Sequence, residues 1–475
     1  MKFRKMICMV LCLLMTVGMA AAVSAAGDSA TGAMGCRGLD AQSALGGSEK
    51  MLDTAQAAVV YERNTGTLIY GYNLDRQIYP SSMVKLMTAL VALQHGNLED
   101  SVTVTRTALD SVGIGVVSAN LVRGEQMTLK DLLYCMMVGS ANDASAVIAE
   151  YIGGSQAGFV AMMNEMAVKI GLTGTHFSNP HGLHDEQTYT TVRDVLKILD
   201  IGLENPQFRE MYETVNYTVP ATNKTDAREI SSTNNMMKSG SKYYDQRVTG
   251  GKTGATDAAG RCLTVSAAVA DMDLIAIVMG AKATYSADGS YLTKYGSFEE
   301  MSALLDYAQD GYECRQLFYE SQVIAQYPVA NGSNHVVTTP ADASFCVVPK
   351  GVAAEALRWQ YQTTIDGLTA PIARGQPVTT LEVWYGDICL AQTDLVAMNA
   401  VGIAAILEED RITEHEKQEQ KHGEVLALIL GIVLGVAVLG VVGLFLVRFI
   451  QTALIKARVR RRRKNRRRNR NARME

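Results

Sequence analysis

The sequence has few of the residue patterns that mark metal, redox or nucleotide chemistry. No two of its 8 cysteines are spaced as CxxC, and its 7 histidines contain no HExxH pair. Neither a zinc cluster nor a histidine-bound metal is therefore indicated. A glycine-rich phosphate-binding loop, a nucleophile-elbow serine and an internal repeat are also absent. We expect no metal and no cofactor, and chemistry that does not depend on a histidine base.

Charge is absent from an apolar stretch close to the N-terminus. Three of the first five residues are basic, residues 6–20 are apolar, and small residues continue to residue 26. A basic start, an apolar middle and a small-residue cleavage site are typical of a secretory signal peptide. We predict a signal peptide at residues 1–26 and export of the chain after residue 26, with an uncleaved anchor as the alternative.

A second uncharged stretch, residues 425–447, lies near the C-terminus. As a helix rising about 1.5 Å per residue, its 23 residues would be about 35 Å long, enough to cross a bilayer core of about 30 Å. A buried helix of a soluble protein is the alternative. We predict a transmembrane helix, because so long an uncharged run is followed at once by a basic tail.

The tail at residues 448–475 contains thirteen Lys or Arg residues and one acid. Such an excess is typical of the cytoplasmic side of a span, so we place the tail inside the cell and the body outside. Next to a membrane, attraction to anionic lipid headgroups is favoured over nucleic-acid binding by the tail. Within the span, Gly431 and Gly435 form a GxxxG pattern, which occurs in helix dimers and also in helices that do not dimerise.

The body between these ends is strongly acidic once the basic start and the basic tail are removed. This balance argues against nucleic acid as its partner, and solubility is the simplest role of the surface acid. At roughly 400 residues the body exceeds one typical domain. We predict a linker at 27–52, a first domain at 53–315, a β domain at 320–407 and a stalk at 408–424.

The first domain changes from strand to helix and back to strand. Residues 57–62 and 67–72 flank an Arg-Asn-Thr-Gly turn and predict a hairpin. The other predicted elements are helices at 82–93, 131–138, 143–151, 159–170 and 298–308, and strands at 247–253, 260–269 and 274–279. This order indicates an α/β (α+β) domain in which one antiparallel sheet carries a helical subdomain.

Residues 323–399 have mainly strand character. Alternating and β-branched segments are separated by Pro and Gly, which predicts a small all-β domain. Cys346 and Cys389 fall in this domain, and disulfides are permitted outside the cell. A disulfide between them and a set of scattered buried thiols both remain open.

The most specific chemical signal comes from three short motifs, in this order along the chain: SxxK at 82–85, SAN at 140–142 and KTG at 252–254. On a helix, Ser82 and Lys85 would lie on one face. A serine hydroxyl is a poor nucleophile until a base takes its proton. A lysine can be that base only if burial or a nearby cation lowers its pKa, and Lys252 is the candidate cation.

Each motif also has an ordinary interpretation. Ser239–Lys242 is a second SxxK in a stretch without a helical pattern, and Ser232–Asn234 is a second SxN. Ser and Asn in a turn between helices usually act as caps, and KTG by itself suits any edge strand. The order, spacing and context of the three motifs together favour a functional site. A strand edge at residues 252–254 would then bind an extended substrate.

The segments around the motifs resemble those of the D-alanyl-D-alanine carboxypeptidases, the low-molecular-mass penicillin-binding proteins of serine peptidase family S11. Residues 80–88 (PSSMVKLMT) are similar to the nucleophile segment, 139–144 (GSANDA) to the second motif and 251–260 (GKTGATDAAG) to the third. Residues 179–183 and 190–194 resemble two further family segments. The resemblance runs from about residue 53 to 315, and the β domain after it is similar to the family's C-terminal domain.

The resemblance implies a β-lactamase/transpeptidase-like fold and hydrolysis of the terminal D-Ala–D-Ala bond of bacterial peptidoglycan stem peptides, with β-lactam antibiotics as covalent inhibitors. It implies Ser82 as the nucleophile and Lys85 as the general base. Ser140 would assist proton transfer and Asn142 would assist substrate binding. The backbone N–H groups of Ser82 and Ala255 would form the oxyanion hole.

For the substrate's terminal carboxylate, the resemblance implies binding by Lys252 and Thr253, with Gly254 allowing close approach of the backbone. Lys282 stands where relatives often carry a further cation. Ala255 is smaller than the residue that relatives often have there. The transmembrane span and basic tail also depart from relatives that are held by an amphipathic C-terminal helix.

Two alternative functions share this fold. A β-lactamase would form the same acyl-enzyme and hydrolyse it quickly, but the sequence has no convincing counterpart of the deacylating glutamate motif. A non-catalytic wall-binding protein would not need all three motifs. The favoured interpretation is a membrane-anchored D,D-carboxypeptidase.

Overall fold

The computed structural model describes residues 44–286, 292–361 and 367–471. The predicted signal peptide and most of the predicted linker lie outside the described residues. The α-helices are α1 Val84–His95, α2 Arg106–Asp110, α3 Leu129–Met137, α4 Asn142–Gly153, α5 Gln156–Lys169, α6 Val192–Glu204, α7 Pro206–Glu213, α8 Gly296–Gly311 and α9 Ala405–Asn471. Short 3-10 helices occur at Ser81–Met83, Asn235–Met237 and Ala354–Ala356.

The strands are β1 Ala57–Glu62, β2 Thr67–Tyr72, β3 Ser101–Thr103, β4 Gln126–Thr128, β5 Asn216–Val219, β6 Arg228–Ser231, β7 Val248–Thr256, β8 Gly260–Val269, β9 Met272–Ala281, β10 Ala283–Tyr285, β11 Leu292–Tyr295, β12 Tyr312–Phe318, β13 Ala325–Tyr327, β14 Val336–Pro340, β15 Ser344–Pro349, β16 Leu357–Tyr361, β17 Pro377–Tyr385 and β18 Ile388–Ala397. The central sheet has the order β2–β1–β9–β8–β7, and all its neighbouring strands are antiparallel. This confirms the predicted antiparallel sheet, and it leaves β7, which carries the KTG motif, at one edge.

Both faces of the central sheet are buried. Successive residues of a strand point to opposite faces, and those of β1 accordingly enter two cores. Val59 and Tyr61 pack with the helices between β2 and β7, whereas Ala58 and Val60 pack with α8. The inserted helices form the predicted helical subdomain, and the sheet holds its edge strand beside them.

Two helices begin at earlier residues than predicted, because an N-capping side chain sets the first residue of each. Helix α5 begins at Gln156 rather than at residue 159, because Ser155 Oγ accepts a hydrogen bond from the Gly158 N–H. Helix α3 begins at Leu129 because Thr128 Oγ1 accepts from the Asp131 N–H. Such N-caps satisfy backbone donors that a helix leaves unpaired.

The chain divides into two compact units. The first comprises the described residues up to 322 together with 340–361 and 379–395, and the second the described parts of 323–339, 367–378 and 396–471. In the first unit, β12 pairs with β15 and β16 with β17, and in the second β13 pairs with β14. These pairs are antiparallel, as the predicted all-β domain requires.

Helix α9 contains the predicted span. Within it, Glu416–Arg461 is long and apolar enough to cross a membrane. The predicted stalk is part of the same helix. Cys346 and Cys389 are both free thiols, so the disulfide that the sequence left open is not formed between them.

Candidate active site

Ser82 lies in the 3-10 helix that leads directly into α1. The preceding Ser81 has a φ of 52°, a left-handed conformation that is unfavourable for a residue with a side chain. A loop presses on this turn, since a Cβ atom added to Gly182 would lie 1.9 Å from the Ser81 carbonyl oxygen. The surrounding structure therefore holds the Ser82 turn in one conformation.

Lys85 follows Ser82 by about one helical turn and is fully buried. Its Nζ lies 3.1 Å from Ser82 Oγ, 2.8 Å from Asn142 Oδ1 and 2.5 Å from the His181 carbonyl oxygen. Burial, and then the nearby Lys252 cation, lower the pKa of Lys85 well below its ordinary value, although Asp143 acts in the opposite direction.

The contacts of Lys85 suit a neutral amine that acts as a base. A neutral lysine has two N–H donors and one lone pair. Asn142 Oδ1 and the His181 carbonyl oxygen are acceptors and occupy both donors. The lone pair is then left for the third neighbour, the Ser82 hydroxyl. This arrangement can take the proton from Ser82.

The orientation of the Asn142 side chain follows from its other neighbour. Asn142 Nδ2 donates to the Val117 carbonyl oxygen over 3.0 Å, and the Asn142 backbone N–H donates to the same oxygen over 2.8 Å. A carbonyl oxygen can only accept, so the amide nitrogen must face Val117. The amide oxygen is thereby directed at Lys85.

Lys252 lies in β7 and is as deeply buried as Lys85. Its Nζ donates to Ser140 Oγ over 2.8 Å and to the Thr253 carbonyl oxygen over 3.3 Å. Burial lowers the pKa of Lys252 to about 7. Ser140 has a φ of 60°, so it too is held in the left-handed region.

Gly254 allows the edge strand to pass close to the nucleophile. A Cβ atom at this position would lie 2.9 Å from the Ser82 backbone nitrogen and 3.0 Å from Ser81 Oγ. The next residue, Ala255, is exposed. Strand β7 therefore runs beside the Ser82 amide, as a pair of oxyanion donors on Ser82 and Ala255 would require.

Two groups at the site were not identified from sequence as parts of it. Thr233 Oγ1 lies 2.5 Å from Thr253 Oγ1, although Ser232–Asn234 looked only like a second SxN. The His181 carbonyl oxygen binds Lys85, whereas burial and then Lys85 lower the pKa of the His181 ring to about 3, so the ring is neutral. The similarity of residues 179–183 to a family segment was the only signal for His181.

Lys282 lies apart from this cluster, just after the end of β9. Its side chain is exposed, and its backbone N–H donates to Thr54 Oγ1 over 3.0 Å. Ala281 is the register partner of Arg261, which is in turn the partner of Ala255. Lys282 is therefore at the same end of the sheet as Ala255, two strands away. Among the described residues, no group of His, Cys, Asp or Glu could hold a metal ion.

A serine next to a buried lysine, a second lysine on a neighbouring strand edge and a SxN turn between them define the class of penicillin-recognising serine acyl enzymes. A family model described as D-alanyl-D-alanine carboxypeptidase matches residues 47–283, and one described as the C-terminal domain of penicillin-binding protein 5 matches 312–402. The chain belongs to the D-alanyl-D-alanine carboxypeptidase family, serine peptidase family S11.

Individual relatives agree with this assignment. The D-alanyl-D-alanine carboxypeptidase DacF of Bacillus subtilis (strain 168) is 31% identical over 355 residues, which are 74% of this chain and 86% of the relative. DacA of Haemophilus influenzae is 30% identical over 363 residues, with 74% and 86% covered. The crystal structure of penicillin-binding protein 5 from Haemophilus influenzae matches with a TM-score of 0.61 and 28% identity, covering 75% of this chain and 100% of that one.

Proposed function

We propose that this chain is a serine carboxypeptidase that removes the terminal D-alanine from peptidoglycan stem pentapeptides. Ser82 Oγ attacks the carbonyl carbon of the penultimate D-alanine while the hydroxyl proton passes to Lys85 Nζ. The backbone N–H groups of Ser82 and Ala255 stabilise the oxyanion. The C–N bond then breaks, and the leaving amine receives the proton by way of the Ser140 hydroxyl. Water hydrolyses the ester with Lys85 as its base.

The second half of the site binds the substrate. The terminal carboxylate is anionic and the body of the protein is strongly acidic, so binding must depend on local donors. Lys252 supplies a cation, and the Thr253 hydroxyl supplies a donor on the strand edge. Asn142 contributes its amide to the substrate backbone, and Lys282 adds a more distant cation at the same end of the sheet.

A single observation carries the proposal. Lys85 Nζ is 3.1 Å from Ser82 Oγ, and both of its N–H donors have other acceptors. A buried lysine oriented in this way has no evident use except to take a proton from its third neighbour. A non-catalytic protein that only bound the wall would not need this buried and unfavourable arrangement.

The test is release of D-alanine from a D-Ala–D-Ala pentapeptide by the full-length protein in detergent micelles. Ser82→Ala should reduce the rate by several orders of magnitude, as loss of a nucleophile does. Ser239→Ala removes the serine of the second SxxK and is the matched control, which should keep full activity. Equal release by wild type and Ser82→Ala would overturn the mechanism.

Penicillin separates the proposal from the β-lactamase alternative. A carboxypeptidase of this kind should form a long-lived penicilloyl ester on Ser82, detectable by mass spectrometry of the Ser82 peptide. Rapid turnover of penicillin with no accumulated ester would favour the β-lactamase. The β domain and the anchoring helix support cell-wall work, since neither is required for hydrolysis of a diffusing antibiotic.

We further propose how the chain is arranged at the membrane. The signal peptide is removed after residue 26, the catalytic domain (53–315) and β domain (320–407) lie outside the cell, and residues 425–447 span the bilayer. The basic tail at 448–475 is cytoplasmic and attracted to anionic lipid headgroups. Trypsin should then remove the arginine-rich tail in inside-out vesicles and leave it intact in right-side-out vesicles; the reverse pattern would overturn this topology.

We propose separately that the span is a dimer contact, on the GxxxG pattern of Gly431 and Gly435. Replacing both glycines with isoleucine should abolish crosslinking of the full-length protein in membranes. Crosslinking at the wild-type level in that variant would show that these glycines do not form a helix contact.

A further inference from the structure

Asp143, the residue after Asn142, has a buried carboxylate surrounded by donors. It accepts four hydrogen bonds, from the Ser118 hydroxyl (2.6 Å) and the Leu121 N–H (3.0 Å) at Oδ2, and from the N–H groups of Ala119 (2.9 Å) and Ala144 (2.9 Å) at Oδ1. Three of these donors belong to the segment Val117–Leu121. The carboxylate therefore attaches this segment to the start of α4.

Beyond these hydrogen bonds, segment 117–121 is held in the described structure by burial of Ala119 and Leu121 in the core. It follows a turn in which Gly113 and Gly115 have φ values of 75° and 82°, and it contains no helix or strand. Val117 itself is 55% exposed, so packing of its own side chain does little to fix the position of its carbonyl group. Yet the Val117 carbonyl oxygen accepts both the backbone and the side-chain N–H of Asn142. The position of that carbonyl depends on Asp143.

The Val117 carbonyl oxygen decides which end of the Asn142 amide meets Lys85. If it moved away, the amide would be free to rotate and to present Nδ2, a donor, to the lysine. One N–H of Lys85 would then lose its acceptor, and the amide N–H would compete with Ser82 for the lone pair. The base would remain beside Ser82 but with its lone pair directed elsewhere.

We propose that Asp143 is a positioning residue for acylation of Ser82. By fixing segment 117–121 it holds the Asn142 amide in the one orientation that directs the lone pair of Lys85 at the nucleophile. Asp143 contacts neither Ser82 nor the substrate, and it acts through Val117 and Asn142. The inference rests on the proposed function, because it assigns Lys85 as the base.

A charge effect distinguishes this role from a purely structural one. Three charged or titratable groups face Lys85: Lys252 from β7, the His181 ring from the loop before α6, and Asp143 from α4. Lys252 lowers the pKa of Lys85 and Asp143 raises it. Neutralising Asp143 should therefore lower the pKa of Lys85 further. Activity rises with pH as Lys85 loses its proton, and this acid limb of the pH profile should move to lower pH.

The decisive variant is Asp143→Asn in the full-length protein in detergent micelles. An asparagine has one acceptor oxygen where the aspartate has two, so it can accept from Ser118 and Leu121 or from Ala119 and Ala144, but not from both pairs. We expect kcat for D-alanine release to fall by about tenfold to a hundredfold, by analogy with the loss seen when a residue that orients a metal ligand is replaced. Because the Asn142 amide also binds the substrate backbone, KM should rise by a smaller factor, and the acid limb should shift to lower pH.

Asp110→Asn is the matched control, because it makes the same Asp-to-Asn change at an exposed position. The Asp110 side chain is 65% exposed and pairs only with Arg106 among the described residues. It should leave kcat, KM and the pH profile as in wild type. Ser118→Ala removes one of the four donors without changing charge. It should lower kcat several-fold and leave the acid limb in place.

The outcomes separate the inference from the function beneath it. If wild type releases no D-alanine, the proposed function fails. If wild type is active but Asp143→Asn has the wild-type kcat, or loses kcat with an unmoved acid limb, the positioning role is wrong. If Asp143→Asn does not fold, Ser118→Ala decides: reduced kcat with an unmoved acid limb supports the role, and wild-type kcat overturns it.

Discussion

Lys252 Nζ donates a hydrogen bond to Ser140 Oγ over 2.8 Å, and a second buried lysine, Lys85, lies in the same site. Two buried ammonium groups would repel each other, and each is also penalised by the loss of water. Burial and the nearby Lys252 both lower the pKa of Lys85, whereas the pKa of Lys252 is lowered by burial alone. We therefore expect the proton on Lys252, which leaves Lys85 free to act as the base.

This division of roles predicts a bell-shaped dependence of kcat/KM on pH. Activity should rise as Lys85 loses its proton and fall again as Lys252, with a pKa of about 7, loses its own. D-alanine release measured across the pH range at low substrate concentration checks this. Lys252→Arg keeps its charge at high pH, so any activity it retains should lack the alkaline limb. A wild-type rate that rises without limit into alkaline pH would contradict the assignment.

The same burial predicts that Lys252 destabilises the folded protein. Its folded pKa of about 7 is below the unfolded value of 10.5. Below pH 7 the folded and the unfolded protein both hold the proton on Lys252, so the whole cost of burying this cation lowers the stability of the fold. From pH 7 to 10.5 the unfolded protein binds more protons than the folded one, so Lys252 makes the stability rise with pH.

Lys252→Met should therefore unfold at a higher temperature at pH 6 while losing activity. We expect a gain of about 1 kcal/mol, at the lower end of what replacement of buried charge by apolar groups gives, because Ser140 loses its donor. Thermal unfolding followed by circular dichroism measures the difference. The gain in stability should shrink towards pH 10. An unchanged or lowered Tm at pH 6 would show that the contacts of Lys252 offset the cost of burying its charge.

Gly182→Ala should damage the nucleophile turn. The new Cβ would lie 1.9 Å from the Ser81 carbonyl oxygen, and Gly182 has a φ of 80°. Gly154→Ala is a matched control, because Gly154 has a φ of 69° and no atom within 4 Å of the added Cβ. Gly154→Ala should lose about 1 kcal/mol of stability with full activity. Gly182→Ala should lose more stability and most of its rate of acylation by penicillin. Equal behaviour of the two variants would exclude a role for the contact with Ser81.

The sequence predicted the helices and strands of the first domain well because their signals are local. The hairpin of β1 and β2 has the predicted bounds, since alternation and the turn are visible within a few residues. The contacts that orient the site are not local. Val117 reaches Asn142 through a backbone oxygen 25 residues away, and Thr233 meets Thr253 across 20 residues. The residue types in a sequence do not indicate where a backbone carbonyl will lie, so these pairs could be identified only from the folded structure.

The hydroxyl pair of Thr233 and Thr253 predicts an effect on substrate binding rather than on chemistry. If Thr233 donates across their 2.5 Å contact, the Thr253 proton is free to reach the substrate carboxylate. Thr233→Val removes this donor at nearly constant shape, so KM should rise by about twofold to tenfold, as loss of one hydrogen bond gives, with kcat little changed. Thr249→Val is the control in the same strand region, since its hydroxyl pairs with Ser266 instead.

A peptide with an amidated C-terminus lacks the anionic acceptor, and its KM should be the same for wild type and Thr233→Val. A rise in KM for both peptides, or a loss of kcat instead, would place Thr233 in a structural role and leave Lys252 as the carboxylate's principal partner.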